Sequence, residues 1–326
     1  MSGSGAALLF GRLPPRAGFD EQDVLVEAAT VSRALGELGR PAVRVPLGLN
    51  LRSAARRLRR LAPTFVFNLV ESLEGQDRLA YLAPALLDSL GLRYTGSPTE
   101  AIFLTSGKLL AKERLAAAGV PTPAWAREEE APELDFPPPY IVKSVWEHAS
   151  IGLTGSSVAR DRQGLAEELR RRAGRGSDLF VEGYIEGREF NLALLEGPGR
   201  QPQVLPPAEI QFQSYPEGKP RIVDYAAKWE SGSSEFAQTP RRFDFPDGDR
   251  ELLEHLRDLA LRCWRLFRLR GYARVDFRVD LEGRPWVLEV NTNPCLSPDA
   301  GFLAAAAQAG LSPTEVVRRI VEGALS

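Results

Sequence analysis

Along its first hundred residues the chain alternates between two hydrophobic periods. Apolar positions run unbroken over 7–10, at helical spacing over 24–38, in strand-like order over 41–47, helically again over 52–61, and unbroken over 65–70. An unbroken run of about four to eight apolar residues reads as a buried strand, and a 3.6-residue period reads as an amphipathic helix. Asp20 is a candidate cap for the first helix and Gly39 its stop. A third helix is expected over 77–90, ending at Gly91. This β-α-β-α order predicts a small parallel sheet with helices on both faces. The turn Thr95-Gly96-Ser97-Pro98 closes it.

The rhythm then changes. A helix is expected over 108–118, stopped by Gly119 with Pro121 and Pro123 behind it, followed by a Glu- and Pro-rich linker over 128–139. Next come a strand over 140–145, a loop holding Gly152 and Gly155, a helix over 164–172 and a strand over 179–182. Strands near 190–195 and 210–212 precede a Gly/Ser-rich stretch over 230–234, a long helix over 249–269 and a final amphipathic helix over 313–325. No repeat recurs at solenoid periods.

Residues 272–291 read as a hairpin with chemically opposite faces. Folded about 281–284, it sets Arg274 opposite Asn291 and Asp276 opposite Glu289. On the other face Val275 meets Val290, Phe277 meets Leu288, and Val279 meets Trp286. Alternation along strands makes the second face a core face. The first gathers two carboxylates, an amide and a guanidinium, and like charges directly opposite need a counter-charge. Arg274 alone satisfies that need, and so does a divalent metal on hard oxygen ligands. On the hairpin alone both readings stand.

Bulk composition narrows the chemistry. A length of 326 residues suggests two or three domains, and 44% hydrophobic with 26% charged residues is a globular balance. The net charge of −2 argues against nucleic acid as the main partner. The basic cluster Arg56-Arg57-Leu58-Arg59-Arg60 fits the solvated face of a helix. No apolar run approaches a membrane span, and the start lacks a secretory pattern. Two cysteines, Cys263 and Cys295, make no disulfide framework, so a cytoplasmic location is expected. With His148 and His255 the only histidines, catalysis must rest on carboxylates, lysines, arginines and backbone.

Several upstream features are ordinary one at a time. Lys143 ends an apolar strand, the small-residue loop His148-Ala149-Ser150-Ile151-Gly152-Leu153-Thr154-Gly155 could converge N–H groups on an anion, and Glu182 and Glu189 flank a turn. Lys228 precedes a flexible stretch suited to a lid. Their order, with Lys108 before them and Gly271-Tyr272-Ala273-Arg274-Val275-Asp276 and Leu288-Glu289-Val290-Asn291-Thr292-Asn293-Pro294 after them, resembles the ATP-grasp ligases. Within these the chain is most similar to the D-alanine–D-alanine ligase family, over about residues 65–326, with Tyr94-Thr95-Gly96-Ser97 and Asp224-Tyr225-Ala226-Ala227-Lys228 adding to the likeness.

The resemblance implies a mixed α/β ATP-grasp fold. Residues 1–97 would be a small parallel-sheet domain, 98–186 a central α+β domain, and 187–326 a mixed-sheet domain, with ATP between the last two. It implies that Lys108 and Lys143 hold the α- and β-phosphates under the Ser150 loop. Glu182 would accept from the adenine amino group, with the backbone of Gly183 and Ile185 at the ring edge and Glu189 on the ribose. Asp276, Glu289 and Asn291 would ligate two Mg²⁺ ions, with Mn²⁺ as an alternative. Lys228 and Arg274 would stabilise charge on the transferring phosphate. The implied reaction joins a carboxylate to an amine through an acyl phosphate, which turns a poor electrophile into a reactive one.

The amino-acid half departs from the family. Glu21 is the candidate for gripping the first amino group, and Glu71 stands where the family has a His-Gly pair. After Pro294 the chain runs Cys295-Leu296-Ser297-Pro298-Asp299, placing a carboxylate near where the family presents a hydroxyl to the acceptor's carboxylate, with Ser297 a substitute. Trp229 replaces a tyrosine after the lid lysine. These changes point to a different amino acid or small carboxylate plus amine as substrates. D-alanine dimerisation, a non-catalytic ATP-binding module and a kinase on the same fold are the alternatives. A homodimer is compatible with all of them.

Overall fold

The computed structural model describes residues 5–326 apart from 14–17, 149, 151, 175–177, 217, 230 and 231, and describes the backbone but not the side chains of 19–21. Ala6–Gly11 (β1), Ala42–Leu47 (β2) and Val66–Leu69 (β3) form a parallel sheet in the order β2-β1-β3. Alternation along β1 divides its side chains between two cores. Ala6, Leu8 and Phe10 pack with Ala28, Val31 and Leu35 of Phe19–Glu37 (α1). Ala7 and Leu9 pack with Ala54 and Leu58 of Leu51–Leu61 (α2) and with Leu87 of Leu82–Ser89 (α3). A strand covered on both faces has to be apolar throughout, which is why its run is unbroken. The basic cluster lies on the solvated face of α2, with only Leu58 buried among its five residues.

Two local expectations shift. The helix expected over 77–90 is a short 3₁₀ turn, Asp77–Leu79, followed by α3. Pro84 explains the break: in a longer helix its ring would strike the carbonyl four residues back, whereas in a first turn it is tolerated. The first helix begins at Phe19, so Asp20 is within it and is not its cap.

Thr99–Ser106 (α4), which the pattern did not announce, leads into Lys108–Ala117 (α5). They are separated at Gly107, where an added Cβ would lie 2.8 Å from Cζ3 of Trp146. That close approach seats Lys108 beside the next sheet. Trp125–Arg127 (β4), Tyr140–Ser144 (β5), Val158–Ala159 (β6) and Leu179–Gly183 (β7) form this antiparallel sheet in the order β4-β7-β5-β6, with Arg162–Arg172 (α6) packed on it.

The last sheet contains Arg188–Glu196 (β8), Pro202–Val204 (β9), Ala208–Ile210 (β10), Arg241–Arg242 (β11), Tyr272–Val279 (β12) and Pro285–Asn291 (β13). Its order is β11-β10-β8-β12-β13, with β9 paired to β8. Tyr225–Trp229 (α7) and Ser234–Ala237 (α8) lie between β10 and β11. Arg250–Leu266 (α9) covers one face through Leu256, Leu259, Ala260 and Cys263, against Leu192, Leu194, Val275 and Phe277. Gly301–Gln308 (α10) and Pro313–Leu325 (α11) pack with α1, β1 and Tyr272 in a shared core.

The β12–β13 hairpin keeps the expected pairs Arg274–Asn291, Val275–Val290 and Asp276–Glu289. Beyond them the register slips by one, so Phe277 faces Val287 and Val279 faces Pro285 rather than Leu288 and Trp286. Asp280 fixes the turn by accepting from the N–H groups of Glu282 and Arg284, with Gly283 at φ +80°. A bulge then absorbs the extra residue. Leu288 turns into the cavity described below, while Val287 and Val290 keep the apolar face.

Candidate active site

The three sheets converge on a cavity of about 1230 Å³. Its floor is the polar face of β8, β12 and β13. In register, Asp276 faces Asn191 on one side and Glu289 on the other, while Arg278 faces Glu189. Asn191 donates Nδ2–H to Asp276 Oδ1 at 2.9 Å. Arg274 forks onto the same carboxylate, Nε to Oδ1 at 2.7 Å and Nη2 to Oδ2 at 2.8 Å. Arg278, only 4% exposed, reaches Glu189 Oε2 at 3.1 Å. Burial raises Glu189 above the ordinary carboxylate value, and Arg278 offsets part of that rise.

Glu289 is supported from a different quarter. His148 Nδ1 is 2.6 Å from Glu289 Oε1, and its Nε2 is 3.1 Å from the carbonyl of Ser106. Burial alone would raise Glu289; Lys108 and the hydrogen-bonded His148 overcome it and hold the group well below the ordinary value. Asn291 Oδ1 accepts from the N–H of Asn293 at 3.0 Å. Asp276, Glu289 and Asn291 thus present an all-oxygen donor set with two carboxylates on adjacent strands. That set suits a hard divalent ion.

Lys108, Lys143 and Lys228 all line the cavity. Lys108 Nζ donates to the carbonyl of Glu147 at 2.5 Å. Lys143 and Lys112 each stand 2.5 Å from a different oxygen of Glu182. Glu182 is 1% exposed; burial would raise it, but the two lysines hold it below the ordinary range. Lys112 also donates to Thr122 Oγ1 at 2.8 Å and to the carbonyl of Pro123 at 3.2 Å. Burial pulls its ammonium down to about 8.

The small-residue loop and the stretch before α7 clasp each other across the cavity. Ser150, at φ +63°, donates Oγ–H to the carbonyl of Val223 at 2.8 Å, and Tyr225 N–H reaches Leu153 O at 3.4 Å. Lys228 Nζ lies 5.3 Å from the ring centre of Trp229. Burial lowers Lys228 first and Arg274 adds to it, while Glu289, Glu71 and Asp276 oppose.

At the far end Glu71, Cys295 and Asp299 line the cavity. Ser297 does not: it is 1% exposed and its hydroxyl donates to Asp23 Oδ1 at 2.9 Å. Nor does Gly183, whose N–H donates to the carbonyl of Ala124 at 2.8 Å, so it has none to offer a ring edge; Ile185 does line the wall. The side chain of Glu21 lies outside the described residues. Arg241 answers the charge of Asp299. It lines the same wall, crosses Gly301 where a Cβ would meet its Nε at 3.3 Å, and donates Nη1–H to the carbonyl of Asp299 at 3.1 Å.

Five residues of this site escaped the sequence: Lys112, His148 as a partner of Glu289, Asn191, Arg241 and Arg278. Arg278 and Asn191 were accessible in principle, since alternation places each on the polar face of its strand. The others owe their roles to contacts over long sequence separations. Cys263 and Cys295 are both free, as expected. Among the described residues no helix is long and apolar enough to cross a membrane.

Residues 120–322 match the family model described as D-ala D-ala ligase C-terminus. A D-alanine–D-alanine ligase of Synechococcus sp. (strain JA-3-3Ab) is 33% identical over 313 residues, covering 94% of this chain and 90% of the relative. One from Gloeobacter violaceus is 32% identical over 309 residues, covering 92% and 94%. The crystal structure of the Bacillus anthracis D-alanine–D-alanine ligase complexed with ATP superposes with a TM-score of 0.75 at 21% identity, covering 99% of this chain and 97% of that one.

Proposed function

Because the chain belongs to the D-alanine–D-alanine ligase family of ATP-grasp enzymes, we propose that it joins a carboxylate to an amine at the expense of ATP, through an acyl phosphate, and that its substrate pair is not two D-alanines. The observation that carries the chemistry is the row Asn191–Asp276–Glu289 with Arg274 on the floor of a cavity that Lys108, Lys143 and Lys228 also face. We read the chain as three domains, 1–97, 98–186 and 187–326, with ATP between the last two.

On this reading Asp276, Glu289 and Asn291 would hold two Mg²⁺ ions, and Mn²⁺ would suit the same oxygens. Bound there, the metal would neutralise phosphate charge and act as a Lewis acid. Lys108 and Lys143 hold the α- and β-phosphates, and the Ser150 loop covers them. Glu182 and Ile185 border the adenine, and Glu189 accepts from the ribose hydroxyls. The donor carboxylate attacks the γ-phosphorus and ADP leaves. Arg274 and Lys228 stabilise the charge that develops on the transferring group. The amine then attacks the acyl carbon, loses a proton, and expels phosphate. Ile222, Val223, Ala227, Trp229 and Phe236 wall the cavity and keep water from the acyl phosphate.

The change of substrate is argued from Glu71 in place of the family's His-Gly pair and from Asp299 near the acceptor end. The names of the relatives favour the second reading, D-alanine dimerisation. Release of ADP and phosphate, followed over a panel of amino acids and dipeptides of both hands, separates them. Turnover with D-alanine alone, at a KM within about 1 μM–1 mM, selects the second. ATP binding without product in any mixture would defeat both.

A further inference from the structure

Next to the reacting centre lies a group of acids with one unmet requirement. Glu27, on α1, is 1% exposed. Its Oε1 accepts the N–H of Leu296 at 2.8 Å, and its Oε2 is buried with no hydrogen-bond partner among the described residues. A buried carboxylate oxygen without a donor is costly, so its persistence points to a group that arrives from outside. One oxygen each from Glu27 and Glu71 and the sulfur of Cys295 lie within 4.8 Å of one another. Asp23, one turn before Glu27, is already engaged: Cys295 Sγ is 2.9 Å from its Oδ2 and Ser297 Oγ 2.9 Å from its Oδ1. Asp23 therefore orients Cys295, whose sulfur also accepts the N–H of Ser297 at 3.3 Å.

The donors and acceptors of this triangle select its guest. Its three atoms lie no more than 4.8 Å apart, so a group placed between them is within reach of charge-assisted hydrogen bonds to each. An ammonium has three donors and no acceptor, and here it meets acceptors only. A transition metal fits poorly, because it needs a thiolate and Cys295 directs its S–H at Asp23 Oδ2. Burial, with Glu27, Glu71 and Asp23 nearby, pushes the Cys295 thiol well up and keeps its proton on. The family resemblance assigns the α-ammonium to Glu21, so an ammonium received by Glu27 of α1 and Glu71 beyond β3 is a second one.

We propose that Glu27, Glu71 and Cys295 form a subsite for a non-reacting ammonium, so that the substrate is an amino acid with a basic side chain. Only the step from subsite to substrate rests on the ligase reading; binding of the ammonium does not.

The test compares ornithine and lysine, in both hands, with norvaline and norleucine, which have similar chains without the terminal charge. Thermal shift on the full-length protein without ATP reads binding alone. Ornithine or lysine is expected to raise the melting temperature at concentrations at least tenfold below those at which the neutral pair does so. Glu71→Gln and Glu27→Gln, each keeping shape and an acceptor oxygen, are expected to remove most of that preference. ADP release with Mg²⁺ and a second amino acid reads the reaction separately. Equal response to basic and neutral probes, a preference unchanged in both variants, or stabilisation by Zn²⁺ alone would overturn the subsite. A basic-selective shift with no ADP release from any pair would uphold the subsite and sink the ligase reading.

Discussion

The imidazole of His148 is held between two acceptors, Glu289 Oε1 at 2.6 Å and the carbonyl of Ser106 at 3.1 Å. A carboxylate and a carbonyl can only accept, so both ring nitrogens are placed to donate. The chain thus supplies its own hydrogen-bond partner to Glu289, the carboxylate that the proposed mechanism gives to the metals. Lys108 and His148 hold that carboxylate well below its ordinary value, so it is charged in advance.

Glu289→Ala is therefore expected to lower turnover by about 100-fold or more, the scale for losing a main electrostatic contributor. Initial rates of ADP formation against Mg²⁺ concentration check it. Unchanged rates and unchanged ATP affinity would leave the ligase mechanism without its metal floor.

Arg274 grips Asp276 through two parallel bonds. A lysine cannot reproduce that planar fork. Arg274→Lys should reduce kcat by about 100-fold while KM for ATP changes only a few-fold, because its proposed role concerns charge that appears during transfer. A rise in KM with kcat intact would reassign it to ground-state binding.

Lys112 is expected to matter for stability. Lys112→Met leaves Glu182 buried with one partner instead of two, and should cost about 3 kcal/mol in urea unfolding at pH 7. Adding Glu182→Gln should recover part of that loss, since the uncompensated charge goes with it. Glu182 is held below its ordinary 4.5 in the folded state. Its contribution is thus present above that value and is lost as pH falls through the lowered one. Unfolding midpoints at neutral and acid pH should converge between wild type and the double variant.

Glu71 lines the cavity with its side chain open to the cavity space, and partial desolvation by the surrounding walls raises its carboxyl to about 7. Lys228 and Arg274 pull it down, while Asp77 and Asp23 push it up. Below that pH it is neutral and holds an ammonium weakly; above it the charge is present. Binding of ornithine or lysine should accordingly strengthen as pH rises through about 7, and Glu71→Gln should flatten that dependence. A flat profile in the wild type would remove Glu71 from cation recognition.

What the chain determines locally was legible. The unbroken runs of β1 and β3, the helical period of α1, and the glycines that end helices are one-dimensional signals, because burial on two faces or one imposes a period on the sequence. The alternation from Arg274 to Asp276 and from Glu289 to Asn291 placed four polar groups on one face, since side-chain direction in a strand has period two. That parity holds until an extra residue enters, and the turn set by Asp280 inserted one at Leu288. Only tertiary structure decided which polar groups meet. Lys112 finds Glu182, His148 finds Glu289, Arg241 crosses Gly301, and Glu27 finds Glu71 and Cys295. Most of these pairs lie far apart along the chain, and neither their periodicity nor their residue type distinguishes them from ordinary surface charges. The hairpin, together with the ordered lysines and glutamates upstream of it, therefore points to the proposed chemistry from sequence. The proposed choice of substrate rests on groups brought together from α1, the stretch after β3 and the loop after β13, because electrostatic recognition depends on distance in space and not on spacing along the chain.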